Sequence, residues 1–336
     1  MFIAVGLLLV WRVFALSSLA EAVDSCYRSP LHNQNPDLCM FSQAARMAGR
    51  KVVKTVLSVE QSEGVGARVR RSIGRHELRN LDPFLMLDEF KVGRPAGFPD
   101  HPHRGFETVT YLLDGGSTDH EDFCGHAGRL DPGDLQWMTA GRGIVHSEMP
   151  STQEPARGLQ LWVNLRSSEK MIPPEYQELK SADIPKPSKD GVTVAVISGE
   201  SLGVKSKVYT RTPTLYLDFK IQKGAKHTQE VPKGWTAFIY TLCGVISVGP
   251  ADGQKSVEAH HTAVLDDGDN VTFENKGDEL AHFVLIAGEP INEPVVQHGP
   301  FVMNTRDEIS QAIEDYSLGK NGFEKAKTWQ SKIAKR

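Results

Sequence analysis

Two short phrases hold the residue types from which chemistry can be built: His101-Pro102-His103-Arg104-Gly105-Phe106-Glu107 and Gly141-Arg142-Gly143-Ile144-Val145-His146-Ser147-Glu148. Side chains two apart on a β-strand share a face, so His101 and His103 aim together, and His146 and Glu148 do likewise. Two such pairs can converge on one ion. Three imidazoles and a carboxylate make a mixed nitrogen and oxygen set suited to divalent iron, manganese, copper, nickel or zinc, with positions left over for water or substrate. Neither phrase holds a thiolate, and Cys26, Cys39, Cys124 and Cys243 do not form the close pairs of a structural zinc site. A His-x-His dipeptide alone is a weak signal, because an isolated histidine usually binds nothing. Its company strengthens it: Gly93 and Gly97 on the approach, a second His after the turn Gly141-Arg142-Gly143, and a further carboxylate, Glu107, in phase with the histidine pair. Glu107 and Glu148 are thus both candidates for the ligand carboxylate and for a base that removes a substrate proton. Spacing does not choose between them.

Convergence of the two phrases needs strands, and the pattern supplies them. Residues 52–59, 108–113, 135–138 and 158–165 are β-branched or alternating, and Asp114-Gly115-Gly116, Asp131-Pro132-Gly133 and Ala140-Gly141-Arg142-Gly143 punctuate them as turns. Many short strands at regular spacing predict an all-β sandwich or barrel. A Pro- and Lys-rich passage ending at 181–190 reads as a linker, and the strand grammar then repeats at 192–197, 214–219, 235–242, 262–265, 270–273 and 282–286. The second half has no His-x-His; the adjacent His260 and His261 would point to opposite faces of a strand. Thr305-Arg306-Asp307-Glu308 is a capping box that opens a helix with an apolar stripe of Ile309, Ala312, Ile313 and Tyr316, ended by Gly319. Between the two phrases, the spacing of His120 and His126 does not repeat the strand phase of a ligand set, so they are expected at a pocket rim or in a structural role, with Cys124 buried rather than reactive.

The two phrases resemble the two-motif signature of the cupin superfamily. The wording is closer to one family within it, the pirins: NLDPFLMLDEF at 80–90, FPDHPHRGFETV at 98–109, HEDFCGH at 120–126 and PGDLQWMTAGRGIVHSEMP at 132–150 resemble pirin sequence, and the similarity runs from about residue 52 to the C-terminus. The resemblance implies two tandem cupin barrels, double-stranded β-helices of the jelly-roll type: a metal-binding barrel at 51–180, a linker at 181–190, and a metal-free copy at 191–336 with the terminal helix. It implies one Fe(2+) in the first barrel on His101, His103, His146 and Glu148, replaceable by Mn, Cu, Ni or Zn; the general cupin pattern would put Glu107 in the carboxylate's place. For some members it implies quercetin 2,3-dioxygenase-like chemistry on flavonols with dioxygen. For others it implies a non-catalytic nuclear protein whose metal state tunes binding to a transcription factor, or, in plant-like members, a G-protein partner. A monomer in nucleus and cytoplasm is the corresponding expectation.

Composition narrows the classes. At 336 residues the chain can build two cores, and 38 Lys and Arg against 42 Asp and Glu leave a net charge of −4 with no basic stripe, which argues against direct nucleic-acid binding. Residues 2–11 are apolar, Arg12 interrupts them, and Ala20-Glu21-Ala22 has the form of a cleavage site. The run is too short to span a membrane. Residues 1–50 are expected to be an extension outside the chemistry, with Met40 or Met47 as alternative starts; residues 1–22 acting as a signal would instead make the protein secreted or organellar.

Overall fold

The computed structural model describes residues 48–335, so the signal-like run lies outside the described residues. The central strands of the large sheets are buried on both faces, as in Phe84–Val92, whereas the outer strands of the small sheets leave much of one face exposed, as in Ala127–Leu130 and Lys255–Glu258. The first unit has a seven-stranded sheet in the order Glu175–Leu179, Leu135–Thr139, Phe106–Gly115, Ala156–Asn164, Phe84–Val92, Ala67–Ile73, Glu60–Glu63. Its partner is a four-stranded sheet in the order Phe98–His103, Ile144–Pro150, Thr118–Asp122, Ala127–Leu130. The second unit repeats this plan. Its seven strands run Val52–Leu57, His261–Leu265, Thr236–Cys243, Ala281–Gly288, Thr214–Ile221, Val192–Ser198, Ser188–Lys189, and its four run Lys226–Glu230, Asn270–Glu274, Val245–Val248, Lys255–Glu258. Among the described residues, the all-β architecture of two tandem cupin units, followed by the α-helix Arg306–Leu318, follows the sequence expectation.

The two large sheets pack back to back over a shared core that includes Val109, Trp137, Leu161, Tyr216, Phe238 and Ile286. Phe84 meets Phe238 edge-on at 5.4 Å. Polar groups cross the seam in pairs: Tyr111 Oη donates to Asp218 at 2.9 Å and Tyr240 Oη to Glu89 at 2.6 Å. The passage 181–190 is part of this construction, because Ile184 is buried in the seam and Ser188–Lys189 extends the second large sheet.

Both ends of the described region cross over. Val52–Leu57, which its place in the sequence assigns to the first barrel, pairs with His261–Leu265 of the second. Arg50, fully buried, anchors it there through the carbonyls of Pro232, Trp235, Asp266 and Gly268 at 2.8–3.0 Å. Conversely, the helix Arg306–Leu318, assigned by sequence to the second barrel, docks on the first. Thr305 and Glu308 form the capping box, Gly319 closes the helix in the left-handed region, and Ile309 and Ala312 join Phe123, Met138, Ile144 and Val145 in one cluster. Ile313, the third stripe residue, is 39% exposed, because the buried arc is narrower than the sequence stripe.

The interiors differ. The second barrel is filled with apolar side chains, among them Phe219, Val271, Phe273 and Phe283. The strand pair that corresponds to the histidine pair places His227 opposite Phe273 and Gln229 opposite Val271. The first barrel instead encloses His103, Thr110, His120, Gln136, His146 and Glu148.

Candidate metal centre

The strand Phe98–His103 pairs antiparallel with Ile144–Pro150, with His101 opposite His146 and His103 opposite Ile144. This register brings three rings together: centroids lie 4.8 Å apart for His101 and His103, 4.4 Å for His101 and His146, and 5.0 Å for His103 and His146. One nitrogen from each falls within 4.8 Å of the others. His101 is oriented through Nδ1, which donates to the Pro99 carbonyl at 2.8 Å and leaves Nε2 with the lone pair. Among the described residues, neither nitrogen of His103 nor Nε2 of His146 has a hydrogen-bond partner, although both side chains are buried. Such orphaned groups cost roughly 1–3 kcal/mol each, and their concentration at one point fits a donor set for a metal ion. Burial, and then the nearby His101, push both imidazoles well below their ordinary range. They are therefore neutral, the form that donates to a metal.

Glu148 is buried two residues along the strand from His146, but its carboxylate is not among the donor atoms that gather within 4.8 Å of one another. The ladder shifts register between His146 and Glu148, so Phe98 stands opposite the carboxylate's residue. Thr110 Oγ1 donates to its Oε1 at 3.2 Å and Gln160 Nε2 to its Oε2 at 3.1 Å. Trp162 Nε1 in turn donates to Gln160 Oε1 at 3.2 Å, which fixes the amide so that its NH₂ faces the carboxylate. Trp162 and Phe106 also pack on His103, with centroids 5.3 and 5.2 Å away, as an apolar wall on that side.

Glu107 is not brought to the histidines. Arg104 and Gly105 end the histidine strand, and Phe106–Gly115 starts a new phase in a different sheet. There Phe106 and Thr110 face the interior, while Glu107, Val109 and Tyr111 face the seam between barrels. Thr139 Oγ1 donates to Glu107 Oε1 at 2.7 Å. Burial pushes this carboxyl up to about 7 against the pull of Thr139 and Trp137. Its sequence-based role as ligand or base is accordingly replaced by a structural one. An acid whose folded pKa exceeds its unfolded value binds its proton more tightly when folded, so stability falls as pH rises between the two values and stays lower above them. Glu107→Gln is expected to abolish a loss of up to about 3 kcal/mol between pH 5 and pH 8. Urea titrations of both proteins at the two pH values check this; parallel losses would contradict it.

Three features escaped the sequence reading. Arg104, directly after His103, is buried and reaches Asp315 at 2.8 Å, the Arg142 carbonyl at 2.7 Å and the Asn321 carbonyl at 2.6 Å, with its guanidinium 4.7 Å from the Phe323 ring centroid. Gly105 and Gly143 make room for distant parts of the chain: a Cβ would meet the Val302 carbonyl oxygen at 2.0 Å in the first case and the Phe323 ring at 2.8 Å in the second. His120 and His126 converge with Glu178 in a second cluster that could hold a metal, and Cys124, expected to be buried, is exposed.

Comparison with known proteins places this geometry. Residues 66–163 match the family model described as Pirin, and residues 216–322 match the Pirin C-terminal cupin domain. The chain is 74% identical to human Pirin over 286 residues, 85% of this chain and 99% of that one. It is 60% identical to a tomato (Solanum lycopersicum) Pirin-like protein over 84% of this chain and 97% of the relative. The crystal structure of a quercetin 2,3-dioxygenase from Acinetobacter baumannii superposes with a TM-score of 0.75 at 35% identity, covering 82% of this chain and 99% of that one. Two matched domains in the right order and near-complete coverage of close relatives agree with the duplicated sheets: the chain belongs to the pirin family of cupin proteins.

Proposed function

We propose that this protein is an iron-dependent dioxygenase that opens flavonols such as quercetin, with Fe(2+) held by His101, His103, His146 and Glu148. The observation that carries the reading is the set of orphaned, neutral imidazole nitrogens gathered beside one oriented carboxylate. The likeness to a quercetin 2,3-dioxygenase at 35% identity supports the substrate class. Bound there, ferrous iron would supply a redox-active centre with open positions for dioxygen and an electron-rich substrate.

The chain's own groups have separable tasks. His101, locked by Pro99, presents one nitrogen in a fixed direction. Glu148 would take the flavonol hydroxyl proton on the carboxylate oxygen not engaged by the metal, and Thr110 and Gln160 orient that carboxylate by donating to its two oxygens. Phe106 and Trp162 keep water from the His103 side.

The test is anaerobic loading of the protein with ferrous iron, followed by oxygen uptake on quercetin. Wild type is expected to consume oxygen only when loaded, and Glu148→Gln to lower kcat by about 10²–10⁴-fold. Stoichiometric iron without oxygen uptake on any flavonol would overturn the catalytic reading and leave a metal-dependent binding protein in its place.

A further inference from the structure

We infer that the first barrel carries a second divalent-cation site, separate from the histidine trio, built from His120, His126 and Glu178 and suited to zinc or a similar borderline ion. The donor atoms already stand at ligand spacing. His120 Nε2 lies 2.8 Å and His126 Nε2 3.1 Å from Glu178 Oε1, and the two ring nitrogens are 3.3 Å apart. Ligands at zinc distances on a tetrahedron are separated by about 3.3 Å, so three vertices are in place after sub-ångström adjustment. A single cation satisfies all three lone pairs at once. A shared proton can bridge only one pair of them at a time. His120 is 4% exposed and its Nδ1 has no partner among the described residues, so its ring is not held by a bond from the far side.

The surroundings hold the donors still. Asp122 Oδ1 accepts the backbone N–H groups of Cys124, Gly125 and His126 at 2.8–2.9 Å, which shapes the turn that returns His126 toward His120. Tyr176 stacks on His126 with a centroid separation of 4.0 Å and donates to Asp122 Oδ2 at 2.9 Å. Gln136 Nε2 donates to Glu178 Oε1 at 2.8 Å. The His126 and Glu178 side chains are 30% and 33% exposed, so an ion can enter from solvent and keep water on its remaining vertex. The site joins the large sheet's edge strand Glu175–Leu179 to the small sheet, and His120 stands opposite Glu148 in the ladder. A cation here pins the two sheets together one strand away from the first centre.

Zinc stoichiometry after equilibrium dialysis of the full chain tests this, with circular dichroism confirming the fold of every variant. His126→Ala and the isosteric Glu178→Gln are each expected to bind one equivalent fewer than wild type. His101→Ala is expected to retain the equivalent that those two lose, and zinc should raise its melting temperature but not that of His101→Ala/His126→Ala. Unchanged stoichiometry in both His126→Ala and Glu178→Gln would overturn the site, including the case where one equivalent binds and only His101→Ala loses it. One equivalent lost through His126 but not His101 would support this site while counting against zinc at the trio.

Discussion

Asp315→Ala is expected to destabilise the protein by about 3–5 kcal/mol, the cost of stripping the partner from a buried charge. Arg104 and Asp315 are both about 2% exposed and meet at 2.8 Å. Asp315 also accepts from Gln311 and Asn321 at 2.9 Å, so the carboxylate organises the end of the helix Arg306–Leu318 and the turn beyond it. Its removal leaves the Arg104 guanidinium buried with only carbonyls and the Phe323 face for company. Because Arg104 follows His103 directly, the histidine strand loses its anchor with the tail. A fall in melting temperature on the order of 10 °C, accompanied by faster proteolysis after residue 300, would report it. A change within about 0.5 kcal/mol, typical of surface sites, would show that the pair is not structurally coupled.

His103→Leu should move stability in opposite directions with and without metal. In the apo protein both His103 nitrogens are buried without partners among the described residues, against Phe106 and Trp162, so an apolar side chain is expected to raise stability by about 1–3 kcal/mol. With ferrous iron the order reverses. Loss of a supporting group beyond the ligands already weakens metal affinity by about 10–100-fold, and loss of a ligand is expected to exceed that. The wild type alone would then gain the stabilisation that saturating metal confers, about 4.1 kcal/mol at one thousand times Kd, which exceeds the apo advantage of the variant. Paired thermal melts under anaerobic conditions, with and without ferrous iron, read both signs. Equal metal-induced shifts in the two proteins would remove His103 from the ligand set.

The histidine pair was legible because its two members lie on one uninterrupted strand, where a period of two is a physical certainty once the strand exists. Glu107 was misread for the same reason turned around: the Arg104-Gly105 turn resets the phase, and counting through it carries the carboxylate to the wrong face. The repeated sheets were legible in alternation and turn chemistry. Their exchange of ends was not, because Val52–Leu57 has the pattern of any edge strand and nothing local says which sheet it completes. Arg104 finds Asp315 across 211 positions, and Glu178 meets His126 across 52, so neither contact leaves a local trace. The helix was legible through its capping box, whose partners sit three residues apart.

The tail also buttresses the histidine strand from its far side. The Ser331 N–H donates to Asp100, the residue before His101, and groups of Ser331, Lys332 and Ile333 all donate to Glu121, the residue after His120. Asp100 and Glu121 alternate with His101 and His120 along their strands and so present the opposite face. A proteolytic cut in the tail would therefore leave every candidate ligand on its strand and remove only the brace behind it, so that loss of the brace reads as looser geometry at the histidines rather than as loss of a donor.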